Sequence, residues 1–93
     1  MDKAEATAVL NQHLAAFVRR GYAELASTVD RPQGMQTEGP SGVKYNIEFN
    51  VFFDDGHKKK DLRIVGSIDD GGTRMFMFPL TKTEIMKPTG ELV

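Results

Sequence analysis

The chain has 93 residues and a mass of 10.3 kDa, the size of one small domain. Its 12 lysine and arginine residues nearly balance 13 aspartate and glutamate residues, and the net charge of -1 argues against a general nucleic-acid binder. The sequence has no cysteine, which excludes disulfides, thiol catalysis and cysteine-ligated metals. It also has no apolar run near the roughly 20 residues that span a bilayer.

A helix is predicted over residues 1–20. Asp2 is a good N-cap, and Glu5 can return a hydrogen bond to it, as in a capping box. The apolar residues that follow have the spacing of one helical stripe: Ala6, Val9, Leu10, Leu14, Phe17 and Val18. Gly21 is a typical helix end, and residues 22–26 form either a continuation or a short second helix.

The second half of the chain has the pattern of strands. Residues 35–38 are predicted as a short edge strand, and residues 43–53 as a long strand in which apolar and polar residues alternate. Residues 62–69 and 73–80 alternate in the same way. Because the connections are too short for crossover helices, neighbouring strands are antiparallel. The predicted fold class is therefore α+β, in a single domain over 1-93: an N-terminal amphipathic helix packed on one face of a four-stranded antiparallel β-meander.

The turn Asp69-Asp70-Gly71-Gly72 sets the register predicted for the last two strands. A loop of three residues pairs Ile64 with Phe78 and Leu62 with Leu80. A loop of two residues would turn every side chain of the last strand to the opposite face of the sheet.

We choose the longer loop, because it places Phe49 and Phe76 on either side of Gly66 on the inner face. Its cost is an arginine, Arg74, opposite Ile68 on that face, which is tolerable near the end of the sheet because the charge can reach water.

The C-terminal residues 81–93 are left with two interpretations. Thr81 and Glu84 have the spacing of a capping box, which favours one short helical turn followed by a tail. The alternative is a last edge strand.

The predicted outer face of the sheet is less polar than a solvated face should be. The register places Phe52 beside Arg63, Val65 beside Met77, and Ser67 beside Met75. The resulting apolar band, rimmed by Arg63, is a candidate interface for a second copy or another protein: Phe52, Val65, Met75 and Met77. The alternatives are that residues 81–93 cover the band, or that an exposed edge strand is the interface.

A basic cluster lies in the loop between the second and third predicted strands and is a weak candidate for anion binding: His57, Lys58, Lys59 and Lys60. Asp54, Asp55 and Asp61 flank it and neutralise most of its field, and no aromatic residue is interleaved for base stacking. The cluster is therefore more typical of a solvated hairpin loop.

No motif for catalysis, metal binding or a cofactor stands out, and no cofactor is predicted. The acidic pairs 54–55 and 69–70 should lie at opposite ends of the sheet, where each forms a turn. We expect a cytoplasmic protein-interaction module that self-associates. The alternative is a ligand-binding protein or enzyme with a pocket between helix and sheet, in which Tyr45, His13 and Arg74 make the polar contacts.

Overall fold

The computed structural model describes residues 2–54, 60–72 and 80–93 of the chain. Two helices are followed by four strands: α1 (Lys3–Val18), α2 (Tyr22–Ala26), β1 (Gln33–Glu38), β2 (Lys44–Phe53), β3 (Leu62–Asp69) and β4 (Leu80–Met86). The strands form one sheet in the order β1-β2-β3-β4, and each neighbouring pair is antiparallel. The predicted α+β meander is confirmed.

Helix α1 begins where the sequence predicts. The Asp2 side chain accepts a hydrogen bond from the Glu5 backbone N–H at 3.1 Å, which makes it the N-cap. The helix ends at Val18, and Gly21 has a φ of 88°, a left-handed conformation that lets the chain turn into α2. Residues 22–26 are therefore a separate short helix.

The two helices pack on one face of the sheet, with α1 mainly over β3 and β4 and α2 over β2 and β3. Apolar side chains from both layers form a single core, in which the Phe17 and Phe49 rings stack with their centroids 4.3 Å apart. Both helices pack mainly on the other three strands, and Met35 on the inner face of β1 remains 40% exposed.

Gly66 lies at the centre of the packed layers. It pairs with Phe49 across β2 and β3, as predicted. A Cβ atom at this position would come within 3.1 Å of both Leu10 Cδ1 and Phe49 Cε1. The missing side chain therefore lets α1 approach the sheet closely.

The fourth strand is not the predicted one. β3 pairs with residues 80–86 instead of 73–80, so Glu84 stands opposite Ile64 and Met86 opposite Leu62, where Phe78 and Leu80 were expected. Ten residues, 70–79, separate β3 from its partner β4, so the predicted three-residue loop over 70–72 does not set the register of this pair. The prediction counted the first alternating segment after the turn as the partner of β3.

The new register also changes the neighbours of β3 on the inner face. Leu80 replaces Arg74 opposite Ile68, so the arginine that the predicted register placed on the inner face is not needed there. Lys82 stands opposite Gly66, where Phe76 was expected. Arg74 and Phe76 themselves lie outside the described residues.

Residues 81–93 do not begin with the helical turn that a Thr81–Glu84 capping box would predict. They continue β4 as an edge strand to Met86, which was the alternative interpretation. The chain then folds back beside β4: Leu92 forms a β-bridge with Met86, and the Val93 N–H donates to the Ile85 carbonyl at 2.9 Å.

The contact at Gly66 predicts a large effect of adding a side chain there. Gly66→Val should lower the free energy of unfolding by about 1–3 kcal/mol, because its methyl groups would displace Leu10 and Phe49. Urea denaturation followed by circular dichroism measures the change. The matched control is Ser67→Val, at the next position and on the opposite face of the same strand, which should change stability by about 0.5 kcal/mol or less. Equal effects of the two variants would contradict the assigned faces.

Candidate interaction surfaces

The outer sheet face retains part of the predicted apolar band. Phe52 stands opposite Arg63 and Asn50 opposite Val65, as the predicted register of β2 and β3 requires. Phe52 is 45% exposed, Val65 is half-buried, and the Arg63 guanidinium lies 2.7 Å from an Asp54 carboxylate oxygen. Arg63 is thus held beside Phe52 by an ion pair.

The positions beside β3 that were predicted for two methionines are taken by other residues. Met75 and Met77 lie outside the described residues, and Thr81 and Thr83 occupy the expected positions opposite Ser67 and Val65. The remaining apolar group is smaller and sits at one corner of the sheet. We call it the apolar corner, and it consists of Phe52, Val65 and Ile85.

Sequence reasoning missed Ile85, which stands opposite Arg63 on the outer face. The available signal was the β-branched alternation of residues 81–85, which is typical of a strand. The strand was hard to recognise because its inner-face positions include the charged residues Lys82 and Glu84, whereas an inner face is expected to be apolar.

Most of the predicted anion-binding loop falls outside the described residues, including His57, Lys58 and Lys59. Lys60 is described and exposed. Its backbone carbonyl accepts a hydrogen bond from the Tyr22 hydroxyl at 2.6 Å, which attaches this end of the loop to α2. This hydrogen bond fixes the Lys60 backbone beside α2. Anion binding by the cluster stays a prediction.

The alternative hypothesis was a ligand pocket between helix and sheet with three polar contacts. The structure describes two of these residues, Tyr45 and His13. Tyr45 is fully buried and its hydroxyl donates to Glu5 at 2.6 Å. Neither residue lines the cleft between α1 and β4. The third predicted group, Arg74, lies outside the described residues.

A polar cluster joins the start of α1 to the β1–β2 turn. Glu5 Oε1 accepts hydrogen bonds from the Tyr45 hydroxyl at 2.6 Å and the Ser41 hydroxyl at 2.7 Å, and Oε2 accepts from the Ser41 N–H at 2.9 Å. The capping-box prediction was therefore wrong in one part, because the Glu5 carboxylate bonds to the turn and to β2. Gly39 permits this approach, since a Cβ there would lie 2.9 Å from the Tyr45 ring.

The electrostatics of the cluster follow from these bonds. Hydrogen bonds from Tyr45 and then from Ser41 hold the pKa of Glu5 below its usual range, because they stabilise the carboxylate. The same bond, with burial, raises the pKa of Tyr45 to about 12. Glu5 stays charged and Tyr45 neutral near pH 7, so neither group is poised for acid–base catalysis at that pH. We call the hydrogen-bonded cluster of Glu5, Ser41 and Tyr45 the clamp, because it joins α1 to β2 and to the β1–β2 turn.

The first strand is the least covered part of the sheet. β1 pairs with β2 on one side, and among the described residues no strand pairs with its other side. A shallow cleft of about 90 Å³ opens beside it on the inner face, lined by Phe17, Arg20, Met35 and Phe49 among others. Exposed backbone and partly exposed apolar side chains thus occur together at this edge.

The chain matches no protein-family model, no curated protein and no solved structure. Among the described residues, no helix is long and apolar enough to cross a membrane. Within the same ranges, no group of three or more histidine or acidic residues could hold a metal ion.

The clamp predicts an unusual tyrosine titration. The protein has 2 tyrosines, so Tyr22→Phe leaves Tyr45 as the only phenol. Its phenolate absorbance should appear with a midpoint near its pKa of about 12, above the ordinary 10.0. Because the folded-state pKa is raised, the bond contributes to stability fully below pH 10 and is lost as the pH rises towards 12.

Glu5→Gln in the same background is the matched variant. It removes the negative charge while keeping an acceptor oxygen, so the phenolate midpoint should fall towards its ordinary value. Circular dichroism at each pH shows that the folded protein is being titrated. An ordinary midpoint for Tyr45 in a folded Tyr22→Phe protein would contradict the clamp.

Proposed function

We propose that this chain is a protein-interaction module that self-associates, and that two copies pair antiparallel through β1. The observation that carries the proposal is the β1 edge itself. It is a strand of 6 residues with partners on one side only among the described residues. An uncovered strand edge is a template for pairing with another strand.

The backbone groups available for pairing follow from the hairpin. The Gly39 N–H donates to the Val43 carbonyl at 2.8 Å, which makes these two residues a hydrogen-bonded pair. Hydrogen-bonded pairs alternate along an antiparallel ladder, so positions 37, 35 and 33 direct their N–H and C=O groups towards β2. Three residues direct theirs away from the sheet: Gly34, Gln36 and Glu38.

The β1 edge lacks the features that usually prevent pairing. Its sequence, QGMQTE, contains no lysine and no proline, and its register with β2 runs from Gln33 to Glu38 without a bulge. The opposite edge differs. There Leu92 and Val93 lie beside the end of β4, and Lys82 and Glu84 occupy inner-face positions. This contrast favours β1 as the pairing edge.

Apolar contact supports the same arrangement. A two-fold axis perpendicular to the sheet keeps the inner faces of both copies on the same side. If the axis passes beside Met35, the Met35 residues of the two copies face each other as a non-hydrogen-bonded pair, with Cα atoms about 4.5 Å apart. Gly34 of each copy then pairs with Gln36 of the other. The exposed Met35 side chains would extend the apolar layer that ends at Phe17 and Phe49.

An interface of one strand and its flanking side chains is small, so we expect association that depends on concentration. Light scattering should detect a species of twice the 10.3 kDa chain mass at high concentration and the monomer at low concentration. Gln36→Pro should shift the protein to monomer, because it removes an outward N–H donor while leaving the backbone hydrogen bonds of β1 to β2. It also removes the 3.4 Å hydrogen bond from the Gln36 side chain to Asn46, so Gln36→Ala, which loses that bond alone, should still dimerise.

The matched control is Phe52→Ser, which reduces the apolar corner and leaves β1 unchanged. It should dimerise like the parent chain, and circular dichroism should show both variants folded. Dissociation by Phe52→Ser alone would assign the interface to the outer face and overturn the β1 pairing. A monomer throughout a hundredfold range of concentration would overturn self-association itself.

A further inference from the structure

The edge of the sheet opposite β1 has a different character. A cleft of about 350 Å³ lies between α1 and β4, and its apolar surface comes from Leu14, Ala15, Val18 and Leu92. Small-molecule sites have volumes from about 300 Å³ upwards, so this cleft is at the lower end of their range. Its lining is mostly apolar, as in such sites.

The cleft lies beside the middle of β4, where the inner face carries charged residues between the apolar Leu80 and Met86. Lys82 and Glu84 stand on the inner face, opposite Gly66 and Ile64. Long charged side chains extend towards water at a sheet edge, so they border the space beside α1 without closing it.

The charges around the cleft have an excess of one positive group. Arg19 and Lys82 line it as cations, against the single carboxylate of Glu84. None of the three forms an ion pair with another described residue. Asn11 also lines the cleft, and its Oδ1 atom, shielded from water, has no hydrogen-bond partner in the described part of the chain.

We propose that this cleft binds a small amphipathic carboxylate, with the alkyl chain against α1 and the carboxylate beside Lys82 or Arg19. The apolar lining favours a chain of methylene groups, because burial of each methylene removes apolar surface from water. The unpaired cations favour an anion over a neutral or cationic head group. The site lies at the edge opposite β1 and is independent of the proposed dimer.

The test uses the full chain and octanoate, below its micelle concentration, followed by amide chemical shifts in NMR. Saturable shifts are expected in residues 11–19 and 82–84. Octanol, which has the same chain without the charge, should bind more weakly. Equal binding of octanol would overturn the role of the cations, and the absence of saturable shifts with octanoate would overturn the site.

Ala15→Trp should abolish octanoate binding, because Ala15 is an exposed helix residue whose enlargement fills the cleft. The matched control is Ala16→Trp, at the next exposed position of α1 but outside the cleft lining, and it should bind as the parent chain does. Equal effects of the two tryptophans would contradict the proposal.

A second variant tests the charge. Lys82→Met keeps the apolar stem and removes the cation, and the octanoate dissociation constant should rise by about two- to fivefold, as expected for an exposed ion pair. Lys44→Met, on β2 and away from the cleft, should leave the constant unchanged. If neither Lys82→Met nor Arg19→Met alters octanoate binding, these two cations do not hold the carboxylate, and the assignment fails.

Discussion

The close contact between α1 and the middle of the sheet determines how the rest of the molecule is arranged. It is possible because residue 66 has no side chain, so Leu10 and Phe49 meet over the backbone of β3. With the helix seated there, it covers β3 and β4, and the short α2 completes the cover over β2. Four strands are wider than one helix, so this placement leaves the inner face of β1 open. Met35 is thus exposed because α1 packs over β3 and β4 and the sheet is wider than the helix.

The two edges of the sheet differ in ways that suit different partners. At β4, inner-face charges and the returning chain occupy the space beside the edge, and a cleft remains between them and α1. At β1, backbone groups and a methionine are exposed together, and the strand contains no lysine and no proline. The proposed pairing edge and the proposed ligand cleft do not compete for the same surface, since they lie on the two outermost strands of the sheet.

The sequence predicts the parts of the fold that local chemistry determines. The N-cap at Asp2 follows from residue type and spacing, and the register of β2 with β3 follows from matching Phe49 to Gly66. The partner of β3 could not be found in this way, because Lys82 and Glu84 break the apolar alternation that identifies a half-buried strand. Those charges are tolerated only because the strand is at an edge, which is a property of the assembled sheet. The outer-face site could be predicted only in part for the same reason. The pairing of Phe52 with Arg63 was predicted correctly, whereas Ile85 and the cleft beside α1 depend on the position of β4.

The clamp at Glu5 also has a consequence for the order of folding. Each strand pairs with its neighbour along the chain, so the sheet can form through short loop closures, which are favourable for fast folding. The bond between Glu5 and Tyr45 joins residues 40 positions apart, and it requires β2 and the turn before it to be in place. We therefore expect a transition state in which the β2–β3 hairpin is formed and the first turn of α1 is still undocked. Substitutions at Glu5 would then accelerate unfolding with little effect on the rate of folding.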